Sequence, residues 1–306
     1  MGRLRWLVAA RWRKENEMSA RDADEMVKPG LIERPAPIEG FPNFGHIPLT
    51  GMANARDLGG MPAADGRAIK MGRLLRTDAL HHATEADLQW LMGSCGVQRV
   101  FDFRSPEEKK AAPDPKSQME GVVFFDVPVF NVASVGLMPG QGIAADAVAL
   151  EHVAHGLHPL VRQVYPRCLL GAEGIAAYRA LFDALLKAED GATLWHCTEG
   201  KDRTGLAAVL VEHALGVSEE DIRKDYLATN LFAQTTAEKI ADAFGRHHMA
   251  VRADMDLDAV FYAYEDYLDE ALAAVREQCG SLDRYLEEQL GVTADARRQL
   301  QEMYLA

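Results

Sequence analysis

The repeat of apolar and polar positions changes period several times along the 306-residue chain. VQRVFDF (97–103) and ATLWH (192–196) are short runs of β-branched, aliphatic and aromatic residues, the pattern of buried strands. VVFFDVPV (122–129) reads the same way, and a shorter strand is centred on Leu74 and Leu75. Between these runs the period lengthens to that of helices. Glu85 to Met92 has helical spacing behind Thr84, a good N-cap. Ser105-Pro106-Glu107-Glu108 starts another helix, with Ser at the N-cap and Pro in the first turn. Tyr178, Leu181, Phe182, Leu185 and Leu186 form one apolar stripe within a helix from Ile175 to Lys187. From Thr204 onward nearly everything reads as helix. Strands alternating with helices predict an α/β fold, with a mainly parallel sheet of about four or five strands flanked by helices and a helical C-terminal part.

Other stretches break the pattern. Residues 29–50 are rich in Pro and Gly and read as an extended lead-in, and 131–160 are rich in Gly and Ala without a clear period. Residues 1–14 carry five basic residues and no acidic one, around an apolar run of only five, Trp6 to Ala10. That run is shorter than the ~7–15 residues of a secretory signal or the ~20 of a membrane helix. Residues 1–40 therefore read as an N-terminal extension, and 41–306 as one domain.

Composition narrows the function. Hydrophobic residues at 48% and charged residues at 26% describe a globular protein. A formal net charge of -13 excludes a generic nucleic-acid coat, which needs a positive surface. An anionic substrate would need a locally positive pocket. Cys95, Cys168, Cys197 and Cys279 form no CxxC pair, so neither a zinc ribbon nor a disulfide framework is suggested. A cytoplasmic location is expected, with export lacking a signal peptide left open.

Residues 192–209, ATLWHCTEGKDRTGLAAV, carry the chemistry. A strand runs into Cys197, then a loop, then Arg203 and a helix: H-C-x5-R-T-G. A loop wrapped between a strand end and a helix start turns backbone N–H groups inward and forms an anion nest. The helix dipole adds positive potential there. Arg203 offers a planar fork matching two phosphate oxygens. Gly200 and Gly205 permit backbone shapes and close approach that larger residues resist. Such a nest favours the thiolate of Cys197, a nucleophile aimed at a bound phosphorus. A nucleotide P-loop is excluded, because Asp202 follows Gly200-Lys201 where Ser or Thr is required. A buried core cysteine would not need Gly, Arg, Thr and Gly at these spacings.

HCTEGKDRTG resembles the signature loop of cysteine-dependent protein tyrosine phosphatases. The GKDRTG ending is closer to a bacterial branch that includes the mycobacterial secreted protein tyrosine phosphatase B and related lipid and phosphoinositide phosphatases. NARDLGG (54–60), GRLLRTDAL (72–80), VFDFRSPEE (100–108), DYLATN (225–230), YLDEAL and SLDRYLEEQLGV (267–292) resemble segments of that branch in the same order. The resemblance spans roughly residues 45–305. It implies that Cys197 is the nucleophile and that Arg203 binds phosphate and the transition state. It implies that His196 helps to set the thiol's acidity and that Thr204 hydrogen-bonds the thiolate. Thr198, Glu199, Gly200 and Lys201 complete the substrate loop, with Glu199 standing where the family often has a small residue. In the branch, residues 230–265 would form a helical lid, here holding Phe232, Phe244, Met249, Met255, Phe261 and Tyr262; ordinary core packing of amphipathic helices would explain them equally well.

A general acid must protonate the leaving group and later activate water. Asp102, at the end of a strand where parallel sheets collect functional groups, leads, with Asp202 in the loop behind it. Asp102 could instead be a structural partner of Arg104. Lys201 reads as a substrate-facing cation. Asn54, Arg56, Asp57 and Arg76 either line the pocket rim or stabilise a turn. His152, His155 and His158 read as surface histidines rather than metal ligands. The expectation is a phosphomonoester hydrolase working through a cysteinyl-phosphate, without metal or cofactor. Its substrate would be a phosphotyrosine protein or, alternatively, a phosphoinositide or inositol phosphate, with no nucleic-acid partner and no integral membrane segment.

Overall fold

A computed structural model describes residues 32–130, 158–232 and 262–306. Residues 1–31 of the expected extension over 1–40, His152 and His155, and residues 233–261 of the expected lid over 230–265 lie outside the described residues. Five strands, β1 (Arg56–Asp57), β2 (Leu74–Thr77), β3 (Val97–Asp102), β4 (Val123–Asp126) and β5 (Ala192–His196), form one sheet in the order β1-β2-β5-β3-β4. Every pairing is parallel except β1 with β2. All five residues of β5 are buried, as expected of a central parallel strand covered on both faces. β4 is an edge strand, shorter than 122–129 and half exposed.

The described helices are α1 (Glu85–Gly93), α2 (Pro106–Ala111), α3 (His158–Leu170), α4 (Ala172–Lys187), α5 (Asp202–Leu215), α6 (Glu219–Phe232), α7 (Glu265–Cys279), α8 (Leu282–Glu288) and α9 (Ala294–Tyr304). Thr84 caps α1, and Ser105 caps α2, each in a reciprocal capping box. α5 begins at Asp202, two residues before the expected Thr204, because Lys201 already has helical backbone and its carbonyl accepts from the N–H of Gly205.

Side chains alternate across the sheet. Leu75, Val100 and Leu194 pack with Leu88 and Leu91 of α1 on one face. Leu74, Phe101 and Trp195 face the larger core built with α3 to α9. The lead-in is part of this core: Ile38, Phe41 and Phe44 are buried, and the carboxylate of Glu33 accepts from the N–H of Glu265 at 3.0 Å. Glu33 and Ile38, within the expected extension, are thus tied to the domain. Among the described residues no helix is long and apolar enough to cross a membrane. The register aligns Thr77, His196, Asp102 and Asp126 at the carboxyl ends of four neighbouring strands, and that edge carries the site.

Candidate active site

The chain leaves β5 at His196, passes through Cys197 to Lys201 and enters α5. Cys197 is buried, at 2% exposure. The loop's carbonyls are tied to the scaffold. Thr198 O accepts from the N–H of Ala79 at 3.0 Å. Glu199 O and Gly200 O each accept from Asn54 Nδ2 at 3.2 Å, and Gly200 O also from Arg76 Nη2 at 3.0 Å. In a trans peptide the N–H lies opposite the C=O, so the same bonds turn the N–H groups of Glu199, Gly200 and Lys201 the other way, as an anion nest requires. Gly200 has φ +66°, and a Cβ there would stand 2.7 Å from Thr77 O, so only glycine fits.

Behind the loop lies a buried charged cluster. Asp225 accepts from Arg56 Nη1 at 2.8 Å and from Arg76 Nη1 at 2.7 Å, one oxygen to each. Thr229 Oγ1 accepts from Arg56 Nη2 at 3.1 Å. Arg56 and Arg76 are at most 1% exposed, so they brace the loop from below and do not line a rim. Asp57 is the turn residue of the motif, accepting from the N–H groups of Gly59 and Gly72. Glu212 is also fully buried here, against the Asp225 carboxylate. Burial, reinforced by the charge of Asp225, pushes its carboxyl well above the usual range despite the two arginines.

Arg203 is held by a residue that the motif did not indicate. Glu108 accepts from Arg203 Nη1 at 2.7 Å and from Nη2 at 2.9 Å, and from Thr198 Oγ1 at 2.6 Å. Its Oε2 also accepts from the N–H of Ser105, closing the capping box of α2. Burial alone would raise the Glu108 carboxyl, but the Arg203 charge and these hydrogen bonds outweigh it and hold it well below the usual range. In sequence, Ser105 and Glu108 show only a capping box. Phe130 places its ring 5.5 Å from the Arg203 guanidinium carbon.

The two candidate acids differ sharply. Asp102 is fully buried, and both its oxygens are taken by Arg104: Oδ1 by the backbone N–H and Nε at 2.9 Å, Oδ2 by Nη2 at 2.8 Å. Burial would raise its carboxyl, yet the Arg104 hydrogen bonds and the charges of His196 and Arg104 lower it overall. The geometry therefore gives Asp102 the structural partnership with Arg104. Asp202 keeps 36% of its side chain exposed. Its Oδ1 accepts a hydrogen bond from Tyr165 Oη and stands 3.3 Å from Lys201 Nζ. Lys201 is only 2% exposed, and its Nζ donates to Tyr262 O at 3.2 Å.

His196 Nδ1 lies 3.1 Å from Cys197 O, and its Nε2 lies 3.2 Å from Asp114 Oδ2. Asp102, Asp114 and His196 are close enough to share a cation, but the Arg104 fork already takes Asp102 and Asp114 Oδ1. Thr204 is buried, and its Oγ1 has no hydrogen-bond partner among the described residues. Glu199 is half-buried. His158 is no solvated surface residue: it bonds Tyr267 Oη and meets the Tyr264 ring edge-on at 4.7 Å. None of the four cysteines is in a disulfide. Burial pushes the thiols of Cys95 and Cys168 up to about 12, and also raises that of Cys279.

Comparison with known proteins matches the tyrosine phosphatase family over residues 47–306. A Cupriavidus necator protein whose name assigns it provisionally to the tyrosine-protein phosphatases is 34% identical over 263 residues, covering 83% of this chain and 86% of that protein. A tyrosine-protein phosphatase of Nostoc commune is 28% identical over 244 residues, covering 78% of this chain and 76% of its own.

Proposed function

The chain belongs to the tyrosine phosphatase family, and from that premise we propose that it hydrolyses phosphotyrosine in proteins through a cysteinyl-phosphate. One observation carries the reading. Cys197, the scaffolded loop peptides, Asp202 and the Glu108-held Arg203 follow one another in a single turn from β5 into α5. In the first step Cys197 Sγ bonds to phosphorus as the P–O bond to the tyrosine oxygen breaks. Asp202 gives that oxygen its proton. In the second step water attacks phosphorus, Asp202 takes the proton back, and the thiolate leaves with inorganic phosphate as product. Arg203 and the loop N–H groups hold the phosphoryl oxygens, whose charge grows in both transition states. His196 precedes the nucleophile in sequence, Thr204 follows Arg203 at the start of α5, and both tune the thiolate. Asp202, half exposed at the first turn of α5, suits the acid role better than Asp102, whose oxygens are both occupied. The Phe130 ring beside Arg203 offers an apolar contact to an aromatic leaving group.

The experiment is Cys197→Ser. Turnover of a phosphotyrosyl peptide should vanish, because a hydroxyl at its free pKa is a poor nucleophile. Vanadate should still bind through Arg203 and the loop. Steady turnover at even about a tenth of the wild-type rate would overturn the cysteine mechanism. A panel of phosphopeptides and phosphoinositides on the wild-type enzyme tests the substrate class.

A further inference from the structure

Tyr165 of α3 and Tyr226 of α6 meet beneath the loop, their hydroxyl oxygens 2.7 Å apart. Tyr165 spends its hydrogen on Asp202 Oδ1. Its oxygen can therefore only accept from Tyr226, which fixes the direction of the chain: Tyr226 donates to Tyr165, and Tyr165 donates to Asp202. Both rings are at most 1% exposed, and the Tyr226 ring packs against Gly205 of α5. Burial, then the nearby Asp202 charge, pushes both phenols well above their ordinary range, so both stay neutral donors at working pH. Lys201 Nζ approaches the same oxygen, Oδ1. Among the described residues, the hydrogen bond and the ion pair to the Asp202 carboxyl thus fall on one oxygen.

Building on the reading of Asp202 as general acid, we infer that Tyr165, with Tyr226 behind it, is a positioning residue that reserves Asp202 Oδ2 for the proton passed to the leaving group. A carbonyl oxygen accepts from Tyr165 as a carboxylate oxygen does, so Oδ1 keeps its donor whether Asp202 is protonated or not. The acid and base half-reactions then use the same oxygen in the same place. In the first, the Oδ2–H bond breaks as an O–H bond forms on the departing phenolate. In the second, Oδ2 takes a proton from the attacking water.

The test measures kcat for aryl phosphates of graded leaving-group acidity, using wild type, Tyr165→Phe, Tyr226→Phe, Asp202→Asn and the Tyr165→Phe/Asp202→Asn double variant. Tyr165→Phe should lower kcat for a phenyl-type leaving group by ~10–100-fold, the scale of a misplaced catalytic group. For a strongly acidic leaving group, which departs without a proton, the loss should shrink to within about threefold. The double variant should be no slower than Asp202→Asn alone, because the tyrosine acts only through that carboxyl. Tyr226→Phe should show the same dependence in weaker form, and decides the matter if Tyr165→Phe does not fold. An Asp202→Asn rate loss that is equal for all leaving groups would sink the acid assignment itself. A leaving-group dependence in Asp202→Asn, beside a uniform loss in the folded tyrosine variants or a further loss in the double variant, would overturn this inference and leave the acid in place.

Discussion

Glu108 holds the guanidinium of Arg203 with both carboxylate oxygens, at 2.7 and 2.9 Å, across 95 residues of sequence. The same carboxylate caps α2, so the orientation of the phosphate-binding fork is coupled to a helix on the neighbouring strand's connection. Glu108→Gln keeps the shape but loses the charge and the bidentate match. It also removes a negative charge beside the anion site, which favours phosphate binding. The expected result is a kcat lowered by ~10²-fold, the cost of a misoriented group, with the inhibition constant for inorganic phosphate changed by less than about threefold. A parallel fall in phosphate affinity would mean that Glu108 builds the binding site rather than orienting it.

Asp102 and Asp202 should separate cleanly by substitution. Asp102→Asn breaks a buried pair with Arg104 and should cost about 3–5 kcal/mol of stability, measured by denaturant unfolding. Whatever kcat it loses should be the same for acidic and basic leaving groups. Asp202→Asn should leave stability nearly intact and lower kcat by ~10²–10⁴ for poor leaving groups only. The reverse pattern would return the acid role to Asp102.

Glu212 makes the protein's stability depend on pH in an unusual direction. Its carboxyl is raised in the folded state, so the folded chain keeps a proton that the unfolded chain releases above about pH 4.3. Where the folded state binds more protons, stability falls as pH rises. Glu212→Gln is neutral at every pH and removes this slope. Its Tm should exceed that of wild type by about 2 °C or more at pH 8, an effect on the order of 1 kcal/mol, and the difference should close toward pH 4. A variant less stable than wild type at pH 8 would mean that Glu212 is charged and paired in the fold.

Alkylation should single out one thiol. Cys95 and Cys168, pushed up to about 12, and the raised Cys279 stay protonated near neutrality. Iodoacetate at pH 6.5 should modify Cys197 first, and inorganic phosphate should slow that reaction, read by peptide mass mapping. Equal labelling of all four cysteines would contradict a thiolate held in an anion nest.

Features legible in the sequence act over short stretches of chain. The five residues of ATLWH are the five residues of β5, because a short apolar run between turn residues has few alternatives to a buried strand. Thr84 and Ser105 cap their helices as read, since a cap bonds only three residues ahead. Cys197, Gly200, Asp202 and Arg203 lie within seven consecutive residues, on the loop after β5 and the first turn of α5, so their order along the chain already placed them together. Tertiary structure alone decided which distant side chains meet. It set Glu108 on Arg203, Asp114 beside His196, Asp225 between Arg56 and Arg76, and Tyr165 on Asp202. It set Lys201 on the carbonyl of Tyr262 and gave both oxygens of Asp102 to Arg104. Periodicity reports that a side chain faces the interior, but the interior is shared by every element of the fold. The partner of a buried charge is settled only when helices and strands tens of residues apart are packed against one another.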